Sequence, residues 1–130
     1  MVGLQQAAGQ LSMKNGNLDE MLDAVEEQLD RYKSARSPRE GVKAVHNLIG
    51  VFYHHCGNRR LDRSMVAIQG QMLLLRHIYA ECPGWSGHTA ELTAVRDGVE
   101  DEDAGAVCAA LQSYMDQSAP AILNWLKDHE

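Results

Sequence analysis

Along most of this chain apolar residues return every three or four positions, the spacing that places them on one face of an α-helix. Leu18, Met21, Leu22, Val25, Leu29 and Tyr32 make the first clear stripe. Asn17 precedes it, and Glu20 follows that cap at the spacing of a capping box, in which side chains satisfy backbone N–H groups the helix cannot. A weaker apolar stretch around Leu4–Leu11 predicts a short helix ahead of it. Ser37-Pro38-Arg39-Glu40 is the next start signal, with Pro at the first helical position, where its missing N–H costs nothing. Val42, Val45, His46, Ile49, Phe52 and Tyr53 follow as one stripe. Gly57-Asn58 should end that helix, since both residues tolerate the left-handed backbone of a helix terminus.

A third long stripe runs through Leu61, Met65, Ile68, Met72, Leu75 and Tyr79. Around "QMLLLRHIY" it is apolar on several faces, which predicts a helix through the middle of the molecule. "ECPGWSG" breaks the pattern, with a turn at Pro83-Gly84 and Ser86 as a cap. A shorter helix over about His88–Arg96 is expected to break at Asp97-Gly98. The acidic "EDED" at 100–103 suits the start of another helix, where negative charge meets the positive end of the dipole. Ala104, Val107, Cys108, Leu111, Tyr114 and Met115 give its stripe, and Pro120 should kink or restart it. Ile122, Leu123, Trp125 and Leu126 finish on an apolar face. No run alternates with period two, no phosphate-loop glycine pattern occurs, and no linker divides the chain. The pattern predicts one all-α domain over residues 1–130, a bundle of five to seven helices.

Composition narrows this picture. The chain has 130 residues, about one domain's worth, and a single Phe among many aliphatic side chains, which favours helices over sheets. Its net charge of −6, with no basic stripe, makes it a poor partner for nucleic acid by itself. Cys56, Cys82 and Cys108 are odd in number and far apart, as expected of reduced thiols in a cytoplasmic protein. The start of the sequence lacks the charged and apolar runs of a secretion signal, and no apolar window is long enough to span a membrane.

"YHHCGN" (53–58) invites a metal reading. Consecutive helical side chains point about 100° apart, so His54, His55 and Cys56 cannot converge on one ion without unwinding the helix. Zinc sites draw on separated pairs instead. The stretch reads as the end of a helix.

That ending also carries a likeness. "CGNRRL" (56–61) resembles the segment between two helices of the FCD domain, the effector-binding half of one branch of the GntR family of transcriptional regulators. "HTAELTAVRDG" (88–98) and "DAGAVCAALQSYMDQSAPAILNWL" (103–126) resemble that family's later helices. The likeness covers about residues 4–126. It implies an antiparallel bundle of about six helices around a central cavity. In many members that cavity holds a divalent metal through an Asp, a His four residues later and two further His. Here the positions matching those ligands carry Val45, Ile49, His88 and Tyr114, the last if "VEDE" is an insertion. One ligand in four is retained, so a divalent metal is disfavoured and no cofactor is expected.

The resemblance implies a ligand-sensing and dimerisation domain of a bacterial transcriptional regulator. It would not be an enzyme. It would bind a small carboxylate-bearing metabolite, form a homodimer, and reach DNA only through a winged helix absent from this chain. Arg76 is a cation on an otherwise apolar helix and needs an anionic partner, which the effector's carboxylate would supply. His46 on its apolar stripe, Ile49, Tyr53, His88 and Tyr114 complete the expected ligand-binding set, with no metal ligand and no catalytic residue among them. Two other readings stay open: a small helical metalloprotein or enzyme working through His46 and His88, and a helical protein-interaction domain without a small ligand.

Overall fold

The cap at Asn17 does what its spacing predicts: its side-chain oxygen accepts from the Glu20 N–H at 3.2 Å and starts a helix. The computed structural model describes residues 2–57, 59, 60, 63 and 87–128. Within them run α1 (Val2–Asn15), α2 (Leu18–Ser34), α3 (Pro38–His54), α4 (Thr89–Glu100) and α5 (Ala104–Asp128), with no strand among the described residues. At the second predicted start, Ser37 Oγ accepts from the Glu40 N–H at 3.3 Å. The Glu40 carboxylate reaches back to the Arg36 N–H at 3.0 Å, one residue earlier than the usual box would have it. α3 closes at His54, and Gly57 beyond it has a φ of +70°, the left-handed value expected there.

Among the described residues each helix has two principal neighbours. α1 packs on α3 and α5, α2 on α3 and α4, and α4 on α5, so the five close into a ring. Among the described residues Phe52, Met21, Leu48, Leu92 and Leu111 are the largest fully buried apolar side chains, and burial of each stabilises by about 1.5–3 kcal/mol. Polar bonds hold α1 at both ends. Gln6 Nε2 donates to the Cys108 carbonyl on α5 at 2.9 Å, and Asn15 Nδ2 to the Cys56 carbonyl after α3 at 3.1 Å.

Three sequence expectations need correction. The helix predicted over Leu4–Leu11 runs from Val2 to Asn15, because small residues such as Ala8, Gly9 and Ser12 are buried and bring its backbone close to its neighbours. The break predicted at Asp97-Gly98 does not occur, and α4 continues to Glu100. A β-carbon on Gly98 would lie 2.8 Å from Val107 Cγ2 and 2.9 Å from the Val107 backbone nitrogen. Glycine here serves the contact of α4 with α5. The stop comes afterwards: the Glu102 N–H bonds the Val99 carbonyl at 3.1 Å and the Asp103 N–H the Gly98 carbonyl at 2.9 Å. That is a Schellman ending, with Glu102 at φ +56° in the position glycine usually takes. Of the acidic run, Asp103 provides the cap of α5, accepting from the Ala106 N–H at 3.0 Å.

Pro120 neither ends nor restarts the last helix, which is continuous from Ala104 to Asp128. Both Pro120 and Asp116, whose carbonyl loses its partner, are exposed, so water can satisfy that carbonyl. The helix expected over Leu61–Tyr79 and the Ser86 cap lie outside the described residues, apart from the helical residue 63. Among the described residues no helix is long and apolar enough to cross a membrane.

Candidate functional site

α2 and α4 run antiparallel: Glu26 meets Arg96 at one end, at 2.9 Å, and Tyr32 meets His88 at the other. The second meeting point gathers the polar groups of interest. Tyr32 ends the apolar stripe of α2, and its buried side chain carries the hydroxyl to His88. His88 is the residue before the first turn of α4, and its backbone N–H donates to the Tyr32 hydroxyl at 3.2 Å. Tyr114, on the buried face of α5, meets the His88 ring edge to face, with centroids 5.2 Å apart and planes at 81°. Three helices thus meet at His88, α2 through its backbone N–H and α5 through its ring, and all three rings are buried.

Burial sets the protonation of the site. It pushes His88 below the ordinary imidazole value, against the opposing pull of the Glu91 charge. His88 is therefore neutral at pH 7. Burial also raises the Tyr32 pKa, with the Glu91 charge adding to it and the His88 N–H opposing. Glu91, one turn along α4 from His88, completes the set. Its Oε2 is sealed from solvent and accepts no hydrogen bond. The site is thus a neutral imidazole against the Tyr114 ring, with the Tyr32 hydroxyl on its backbone N–H and the Glu91 charge nearby. It suits hydrogen bonding to a polar ligand better than proton transfer at neutral pH.

Of the six expected ligand-binding residues, His88 and Tyr114 are brought into contact. Ile49 and Tyr53 are buried one turn apart on α3, in the same apolar cluster as Tyr32 and Tyr114. Burial raises the Tyr53 pKa as well. His46 is half-buried on α3, and Arg76 lies outside the described residues. Tyr32 and Glu91 were missed by the sequence reading. The spacing of Glu91 from His88, one helical turn, was the only local signal for it, and Tyr32 reads as one more member of its stripe. An open groove of about 260 Å³ between α2 and α3, bordered by Gln28, Lys43 and Asn47, takes in none of the expected residues.

No family model and no curated protein matches the chain. A divalent metal bound as the resemblance implies does not fit the residues present. Val45 and Ile49, at two of the four matched positions, are apolar and buried in the core. An ion there would lose its hydration without gaining donors. Among the described residues no three His, Cys, Asp or Glu side chains gather closely enough to hold a metal.

Proposed function

We propose that the chain is the effector-binding and dimerisation domain of a bacterial transcriptional regulator of the GntR type. The observation that carries this reading is the buried contact between His88 and Tyr114. These are the two polar positions that the resemblance assigns to a ligand pocket, and they come from helices that meet at one point. A ring of helices around an aliphatic core, with this polar corner, is a suitable frame for a small ligand. The ligand is a small carboxylate-bearing metabolite, bound in a cavity of the bundle. His88, Tyr114 and Tyr32 bond its polar atoms, Arg76 meets its carboxylate, and His46, Ile49 and Tyr53 line the remainder. Binding shifts the geometry of a homodimer and so the spacing of two DNA-binding heads carried outside this chain, in the cytoplasm. No catalysis and no metal is required.

Thermal denaturation against a panel of small carboxylic acids tests the proposal. A true ligand at a hundred times its Kd adds about 2.7 kcal/mol to stability and raises Tm accordingly. His88→Ala and Tyr114→Phe should weaken that shift while circular dichroism shows the helices intact. A panel without any shift, together with a monomer in sedimentation analysis, would defeat the proposal.

A further inference from the structure

A carboxylate oxygen closed off from water without a hydrogen-bond donor is costly, and such an atom calls for a donor from elsewhere. Glu91 Oε2 is in that state. No ion pair reaches Glu91 from the described residues. Its charge is felt by both Tyr32 and His88, and the His88 ring in turn abuts Tyr114. The described part of the site is therefore one negative charge acting on two aromatic side chains, Tyr32 and His88, the second of which abuts Tyr114. Aromatic faces and carboxylates both attract cations. A hydroxyl donor would satisfy the oxygen and leave the charge uncompensated, whereas a protonated amine does both.

The geometry points to Glu91 as the receptor for an ammonium group of the effector, which narrows the ligand from small organic acids to amino-acid-like zwitterions. This rests on the reading of the chain as an effector-binding domain. The amine bonds Glu91 Oε2 and lies against the ring faces, and the carboxylate is held elsewhere in the pocket. A water molecule on Oε2 would also supply a donor, and it would give no preference among ligands.

The test is a set of L-amino acids, each beside the 2-hydroxy acid and the unsubstituted acid of the same skeleton, read by thermal shift and titration calorimetry. The expected result is that one amino acid binds at least about tenfold more tightly than both of its counterparts, the scale of a charged hydrogen bond. Glu91→Gln, which keeps the shape of the side chain, should erase that preference while circular dichroism shows the helices intact. Equal binding of all three members of a set, or an unchanged preference in Glu91→Gln, overturns the assignment of the amine and leaves the carboxylate reading standing. Absence of binding by every acid removes both.

Discussion

Gly98 allows two opposing effects to be set against each other within one helix. Replacing a helical glycine by alanine removes backbone freedom from the unfolded chain and normally stabilises by about 0.5–1 kcal/mol. Gly50, inside α3, should show that gain, since among the described residues nothing lies within 4 Å of an added β-carbon. At Gly98 the same carbon meets Val107 Cγ2 at 2.8 Å, its nitrogen at 2.9 Å and its Cα at 3.3 Å. Rotation of the valine side chain relieves only the first of these. The other two involve main chain, so α5 must move away from α4 by roughly half an ångström, which forfeits a quarter or more of each dispersion contact along the seam. Overpacking of this kind costs about 1–3 kcal/mol, more than the propensity gain. Gly98→Ala should therefore lose about 1–2 kcal/mol while Gly50→Ala gains up to about 1 kcal/mol. Urea unfolding followed by far-ultraviolet circular dichroism at 25 °C measures both, with an unchanged m-value showing that the surface exposed on unfolding is the same. A Gly98→Ala protein as stable as the parent would refute the argument, and with it the role given to glycine at this contact.

Two further outcomes follow from the same structure. Glu102 holds a positive φ that glycine adopts freely, so Glu102→Gly should stabilise by about 0.5–1 kcal/mol in the same unfolding assay, and a loss would contradict the Schellman ending. The native pKa of His88 lies below its unfolded value of 6.5, so the unfolded chain takes up the proton first as the solution is acidified. The contribution of neutral His88 is full above pH 6.5 and is lost as pH falls through the native value. The difference in unfolding free energy between the parent and His88→Gln should change over that window, and a flat difference would rule out the buried neutral imidazole.

What the sequence disclosed, and what it hid, follows from the range of each interaction. The caps at Asn17 and Ser37 act within four residues, and both starts were legible to the residue. The role of Gly98 depends on Val107, across a turn, so the residue looked like a helix breaker and proved to be a contact point. Pro120 looked equally disruptive, because nothing local reveals that the carbonyl it strands faces water. In the site, His88 and Tyr114 came from a likeness of pattern. Tyr32 joins them through a bond to a residue 56 positions away, which no local periodicity can announce. Glu91 drew no notice because an acidic residue in a first turn is ordinary, and only its sealed oxygen sets it apart.

The bond from Gln6 to Cys108 joins residues 102 positions apart. On a ribosome adding roughly 5–20 residues per second, the first helix waits on the order of 5–20 s for its last neighbour to be made. Meanwhile α2 and α3, adjacent in sequence, can pair and bury their facing stripes early. Closure of the ring is thus a late event in synthesis, and until then a nascent chain presents the small-residue face of its first helix to whatever chaperone attends it.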